Sequence, residues 1–300
     1  MYKEIQVEEV GAKKRLDKFL ALEFPEFSRS HLQKLNEDGL ILVNDKKVPS
    51  HYFLKTGDCI KIDLICPKKI DLSPDRQTKL DIVFENDDFL VINKPTGLVV
   101  HPALSYKEKT LVNQLLAYYP EIKNVGEDPL RPGIVHRLDK EVSGLLVIAK
   151  NQKSHEHLKK QFQEHRVKKE YLALVYGIMK EKRGMINFKI TRGKSGKMVA
   201  KPLAEEGKEA LTEFEVMKYA RNKTLVLLKP QTGRTHQLRA HLKAIGHPIV
   251  GDPLYKLRKL KIKNEPSRIL LHARTLGFYD LKNKWLEFNS PMPAEFKKFI

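Results

Sequence analysis

The sequence predicts an α+β protein of two units: a small helix–helix–strands unit in front, then a large unit built on a mixed, mainly antiparallel sheet. Three observations carry this. Apolar residues recur at helical spacing from Lys13, then at strand spacing from Leu40 to Leu64. Residues 66–79 (CPKKIDLSPDRQTK) are polar, contain two prolines and show no periodicity, the composition of a linker. From Leu80 onward, short β-rich runs separated by turn residues outnumber the helical stretches. The expected boundaries are 13–65, 66–79 and 80–300, and a chain of 300 residues has room for both units.

In the front unit, Ile5, Val7 and Val10 alternate weakly, as in an edge strand. Leu16, Phe19 and Leu20 share one helical face, with Asp17 and Lys18 outside, and Pro25 ends the helix. Ser28 is the expected N-cap of a second helix. That helix turns Leu32 and Leu35 inward and Arg29, His31, Gln33 and Lys34 outward, and stops at Asp38-Gly39. Leu40–Val43 is a strand, Asn44-Asp45 a turn before Lys46-Lys47-Val48, and Thr56-Gly57-Asp58 a turn into the alternating strand Cys59–Leu64.

In the second unit, Asp81–Asp88 reads as strand and turn. Phe89–Ile92 is a strand that runs into the loop Asn93-Lys94-Pro95-Thr96-Gly97. Thr110–Tyr118 is a short amphipathic helix. Ser154 is expected to cap a helix with Leu158 and Phe162 inward, followed by a strong strand at Glu170–Gly177. Residues 180–209 have little apolar content and read as exposed hairpins. Leu211–Tyr219 and Thr224–Leu228 are strands. Gly233 turns the chain and Thr235 caps the next helix, which puts Arg234 at a strand-to-helix elbow. The basic run Lys256–Lys263 is expected at the surface. Leu276–Tyr279 and Trp285–Phe288 form a last hairpin, and 291–300 a terminal helix.

The stretch that organises the chain is Arg131–Lys150, RPGIVHRLDKEVSGLLVIAK. Its polar centre, His136-Arg137-Leu138-Asp139, lies between the apolar runs Ile134-Val135 and Leu145–Ala149. A charged loop held by buried flanks is a natural platform for chemistry. Arg137 and Lys140 are neighbours able to hold Asp139 ionised; on local chemistry alone, an ordinary loop ion pair explains it equally well. The charge balance, 56 basic against 37 acidic residues, points to a polyanionic partner. Nucleic acid fits better than an anionic membrane, because no long apolar run or basic amphipathic anchor is present. Cys59 and Cys66 form neither a disulfide framework nor a zinc spacing and suit a reducing cytosol; the first ten residues lack a secretory signal. No P-loop, GxGxxG or HExxH occurs, so no cofactor is expected. His136, His236, His241 and His272 lie in separate stretches without a carboxylate partner pattern, so no metal is expected either.

Residues 13–64 resemble the S4 RNA-binding domain through RLDKFL, SRSHLQKL, the Gly39 turn, the VN of Val43-Asn44 and the GD of Gly57-Asp58. The resemblance implies RNA contact, and Arg29, His31, Lys34, Lys46 and Lys47 are its expected phosphate-binding residues. RPGIVHRLDKEVSGLLVIAK resembles the central motif of the RluA-type pseudouridine synthases. NKPTGLVVHP, KKEYLALVYG, QTGRTHQLRAHLKAIGHPIVGD and ILLHA resemble that family's other motifs, in the family's order. Together they cover about residues 80–300, and with the S4-like front the chain looks most like the RluD-like enzymes, which carry an N-terminal S4 domain and act on large-subunit ribosomal RNA.

The resemblance implies Asp139 as the catalytic carboxylate, Arg234 as its ion-pair partner with Arg239 as the other candidate, and Tyr171 as an active-site ring. It further implies Arg137 as the side chain that fills the gap left by a flipped uridine, and Leu270 or Leu271 as an apolar wall under the base. Lys94 is expected to brace the pocket or touch a backbone phosphate. One departure is Glu141-Val142, where the family often has Asp-Thr or Asp-Ser. Competing readings are a transfer-RNA synthase, a non-catalytic RNA-binding or ribosome-assembly protein on the same scaffold, and a glycoside hydrolase. The last is disfavoured because such enzymes pair two carboxylates and only one acidic residue stands among the motif positions expected to line the pocket. The expected partner is ribosomal RNA or an assembling ribosomal particle, with transfer RNA also open, met by a cytoplasmic monomer.

Overall fold

The computed structural model describes residues 2–25, 27, 29–63, 72–102, 109–193, 196–202, 206–256 and 265–300. Ser28, Cys66 and all of the basic run except Lys256 lie outside the described residues. The chain divides into two units, Met1–Lys69 and Ile70–Ile300. Ser73 and Asp75, in the stretch read as linker, hydrogen-bond to Asn113 of the second unit.

The first unit contains β1 (Tyr2–Gln6), α1 (Leu16–Glu23), α2 (Arg29–Glu37), β2 (Ile41–Val43) and β3 (Cys59–Asp63). β3 lies between β1 and β2, antiparallel to both. The helices bury Leu16, Phe19, Leu20, Leu32 and Leu35 against Ile41, Val43, Ile60 and Ile62. Asp17, expected outside, is buried. It accepts hydrogen bonds from Arg15 (3.1 and 2.9 Å), Arg29 (2.7 Å) and Gln33 (2.8 Å). Burial alone would raise its pKa, but the bonds from Arg29, Arg15 and Gln33 outweigh that and hold the carboxyl at about 2.

The second unit runs β4 (Ile82–Glu85), β5 (Phe89–Lys94), α3 (Leu111–Tyr118), β6 (Ser143–Ala149), α4 (Gln152–Gln163), β7 (Lys168–Tyr176), β8 (Arg183–Asn187), β9 (Lys189–Arg192), β10 (Met198–Lys201), β11 (Leu211–Ala220), β12 (Lys223–Pro230), α5 (Gln237–Ala244), β13 (Leu271–Tyr279), β14 (Trp285–Asn289) and α6 (Ala294–Lys297). Among the described residues its main sheet has nine strands in the order β4-β5-β6-β13-β7-β12-β11-β8, with β14 beside β13. Among the described residues, only β6 and β13 pair in parallel. Leu145–Ala149 are buried throughout, which is why this run does not alternate.

Several boundaries differ from the reading. α4 is capped by Asn151, whose side chain accepts from the Ser154 N–H at 2.9 Å, so the cap lies three residues before Ser154. α5 follows His236, which adopts φ +55, and Thr235 is not its cap. The segment read as exposed hairpins contributes β8 to the main sheet and a β9–β10 pair, and buries Ile186, Ile190 and Ala200. The terminal helix shrinks to four residues because Pro291 and Pro293 precede it. No helix among the described residues is long and apolar enough to cross a membrane.

A directional chain of polar groups crosses the sheet where β6 meets β13. Arg268 donates to Ser143 Oγ, and Ser143 pairs with His272 Nδ1 at 2.9 Å. His272 Nε2 pairs with Ser290 Oγ at 3.1 Å, and Ser290 donates to Asn93 Oδ1 at 3.4 Å. Since Ser290 donates onward, it receives the His272 Nε2–H, which leaves Nδ1 as the acceptor. The imidazole is therefore neutral, and burial, helped by Arg268, pushes its pKa down to about 4. Burial likewise pushes His101 to about 4 and His136 to about 3.

Gly144 adopts φ +120, and a Cβ there would lie 2.2 Å from the Ala273 carbonyl oxygen of β13. Both the conformation and the approach require glycine. We expect Gly144→Ala to destabilise the protein by more than about 3 kcal/mol in guanidinium unfolding or to abolish folding. Gly97→Ala, at φ +86 in open space, should cost about 1 kcal/mol. A second expectation concerns pH. The three histidines have folded pKa values below the ordinary 6.5, so the unfolded chain binds more protons between pH 6.5 and 4. Stability should fall as pH falls through that window, and His272→Gln should reduce the slope, with His101 and His136 and the likewise lowered His155 and His241 keeping the remainder. Unfolding curves at pH 7.5, 6 and 5 measure both.

Candidate active site

The polar centre of the organising stretch leaves the sheet just before β6 and borders a cavity of about 490 Å³. Its walls are Val135–Asp139, the end of α4 at Phe162 and Gln163, Lys169 and Tyr171 of β7, the 230–236 turn, the start of α5, and Leu271. The Asp139 loop is braced from behind by the Lys94–Gly97 segment. Thr96 Oγ1 donates to the Glu141 carbonyl at 2.6 Å and the Gly97 N–H to the Lys140 carbonyl at 2.8 Å. Lys94, fully buried, donates to the carbonyls of Pro95, Leu98 and Lys140 at 2.8, 2.8 and 3.2 Å. Burial pushes its ammonium down to about 7 against the pull of Asp139 and Glu141. Lys94 therefore braces the loop; it is out of reach of an RNA phosphate.

Asp139 meets Arg239, not Arg234. Arg239 is the third residue of α5, 1 % exposed, and its Nη1 stands 3.2 Å from Asp139 Oδ2 and 3.4 Å from Glu141 Oε2. Its Nε and Nη2 hold Asp252 in a bidentate pair at 2.8 Å each. Burial opposes the charge on Arg239, but the bonds and charges of Asp252, Asp139 and Glu141 overcome it and raise the pKa further. Asp252 is oriented by the backbone N–H groups of Leu254 (2.8 Å) and Tyr255 (3.1 Å), and the guanidinium lies 5.3 Å from the centre of the Tyr255 ring. His236 Nε2 stands 3.8 Å from Asp139 Oδ2, while its Nδ1 pairs with the Tyr255 hydroxyl at 3.1 Å. That hydroxyl donates to the Met198 carbonyl, so His236 Nδ1 carries the proton.

Tyr171 lines the cavity. Burial and the charge of Asp139 both raise its pKa, so it stays a neutral phenol. His136 stacks on Phe162 at 4.4 Å and accepts the Val147 N–H at 3.0 Å, which ties it to β6 as a structural ring.

Arg234 lies at the exposed rim of the cavity, its Nε donating to the Glu209 carbonyl at 3.0 Å. Arg137 is also exposed, lines the same cavity and pairs with His101 Nε2 at 3.2 Å. Of the two leucines left open, Leu271 faces the cavity, whereas Leu270 packs with Leu172, Leu174 and Val250 in a separate core. The strand alternation decides between them. In the first unit, Lys34, Lys46 and Lys47 are exposed, and Lys47 is bonded to the Glu37 carbonyl. Arg29 spends its guanidinium on Asp17, and His31 is stacked on Phe27 at 5.5 Å instead of facing out. Asp252, Glu141, His236 and Tyr255 carried no role in the sequence reading, although Asp252 closes the quoted GHPIVGD run. Among the described residues, no three His, Cys, Asp or Glu side chains are grouped so as to hold a metal ion.

Comparison with known proteins shows the family. Residues 88–244 match the RNA pseudouridylate synthase family and residues 14–60 the S4 domain. A protein of Aquifex aeolicus described as an uncharacterized RNA pseudouridine synthase is 41% identical, covering 96% of this chain and 93% of its own. The ribosomal large subunit pseudouridine synthase D of Haemophilus ducreyi is 36% identical over 95% of this chain and 90% of its own. The solved structure of human RNA pseudouridylate synthase domain containing 1 is 33% identical, with a TM-score of 0.59 over 73% of this chain and 86% of that one. An aspartate and a buried arginine at the mouth of a parallel strand pair thus sit inside a chain that belongs to the RNA pseudouridine synthase family and is an isomerase acting on RNA.

Proposed function

We propose that the enzyme isomerises uridines of large-subunit ribosomal RNA and that Asp139 carries the chemistry. The observation behind this reading is the placement of the Asp139 carboxylate on the cavity wall, 3.2 Å from a buried guanidinium that cannot leave it. Three relatives at 36% identity are named as ribosomal large subunit pseudouridine synthase D, and the net charge of +19 suits a large polyanion.

The reaction breaks the bond between C1′ and N1, turns the uracil and joins C1′ to C5; the proton on C5 leaves and N1 gains one. Atoms and oxidation state are unchanged overall. In a stacked strand neither C1′ nor C5 is accessible, so the nucleotide has to leave the stack. A cavity of about 490 Å³ is of the size that takes such a unit. Asp139 supplies the negative charge, as nucleophile or as the group that stabilises positive charge on the sugar. Arg239 fixes its position and gives it a counter-charge. Tyr171, as a neutral phenol, offers a ring face and a hydroxyl to the base. Arg137, exposed on the rim, is placed to enter the gap in the RNA.

The test is incubation with unmodified large-subunit ribosomal RNA and bulk transfer RNA, read by pseudouridine-specific chemical mapping. We expect new pseudouridine in ribosomal RNA from the wild type and at least about a 1,000-fold slower reaction from Asp139→Asn. Modification confined to transfer RNA would overturn the substrate, and an active Asn variant would overturn the role of Asp139. The two arginines should separate in the same assay. Arg239→Lys should lower kcat at least about 100-fold, because an ammonium cannot hold Asp252 and Asp139 together. Arg234→Lys should leave kcat at saturating RNA within about tenfold.

A further inference from the structure

Lys169 is the second residue of β7 and lies partly buried in the cavity wall. Tyr171, two residues on, lines the same cavity from the same face of the strand. The neighbouring Lys168 is paired with Glu287 at 3.1 Å. The Lys169 ammonium, by contrast, has no hydrogen-bond or ion-pair partner among the described residues. Burial, unopposed by any nearby carboxylate, pulls its pKa down. Its charge acts on His136 across the wall, yet His136 accepts the Val147 N–H and offers it no lone pair.

Position narrows the ligand. No carboxylate is paired with Lys169, whereas Asp139 is already held by Arg239. Lys169 shares the cavity wall with exposed Gln163 and His165 as well as with Asp139 and Tyr171. With C1′ of a target nucleotide at Asp139, the sugar's phosphates extend away from it toward the rim. A partly desolvated ammonium without a partner is compensated best by a full negative charge, and a phosphodiester oxygen provides one where a uracil carbonyl does not.

Resting on the uridine-isomerising reading above, we propose that Lys169 binds a phosphate of the RNA strand flanking the flipped nucleotide, as the cavity's own anion contact. This contact would draw the backbone down as the base leaves the stack, and it would lower KM more than it raises kcat.

The experiment measures equilibrium binding of the full chain to a large-subunit ribosomal RNA transcript between 50 and 200 mM salt, with initial rates alongside. Lys169→Met and Lys169→Gln should reduce the magnitude of the slope of log K against log salt by about 0.7 to 0.9, one phosphate's worth. Lys169→Arg should restore the slope, and kcat at saturating RNA should stay within about threefold. An unchanged slope in both neutral variants overturns the proposal. So does a fall in kcat with an unchanged slope, which would place the ammonium on the uracil. Circular dichroism identifies a variant that fails to fold, and the other neutral variant then decides. If the slope changes as expected but the wild type forms no pseudouridine in any RNA, the phosphate contact stands and the isomerase reading on this substrate fails.

Discussion

One buried guanidinium sets the geometry of the site. Arg239 has almost no access to water and meets three carboxylates, of Asp252, Asp139 and Glu141. Its bidentate pair with Asp252 makes the burial tolerable, because an unpaired charge in that place would be prohibitive. Asp252 in turn is fixed by two backbone N–H groups. Asp139 therefore inherits its position from the start of α5 and from the turn at Asp252, not only from its own loop. Three negative groups around one positive one leave a local excess, and the buried Lys94 on the far side of the loop offsets part of it.

Behind the site, the order of hydrogen bonds from Arg268 through Ser143, His272 and Ser290 to Asn93 joins β6, β13, β14 and β5. It works only with a neutral imidazole at its centre. The charged groups that face the cavity and the neutral chain that holds the strands are thus separate systems, although Ser143 is only four residues from Asp139.

Much of this was legible in the sequence. The inward faces of α1 and α2, the continuous run of β6 and the position of Asp139 in a loop at its mouth all follow from periodicity and turn residues. The choice between Arg234 and Arg239 did not follow, because it depends on Asp252, thirteen residues beyond Arg239 in a turn whose direction periodicity does not reveal. Asp17 was misread for a related reason. An acidic residue beside an apolar stripe reads as solvent-facing unless Arg15, Arg29 and Gln33 are known to converge on it. The cap of α4 was displaced by three residues because Asn151 and Ser154 are both good capping types, and only the backbone decides between them.

The contact at Gly144 has a consequence for selectivity. Where β6 and β13 approach this closely, the two strands have no slack to give, so the Asp139 loop, which ends on β6, is anchored to an unyielding pair of strands. Adjustment falls to the RNA, and the energy needed to unstack each uridine becomes part of how the enzyme ranks its targets. On the proposed uridine-isomerising reading, uridines in loops and bulges, which leave their neighbours at little cost, are the expected targets.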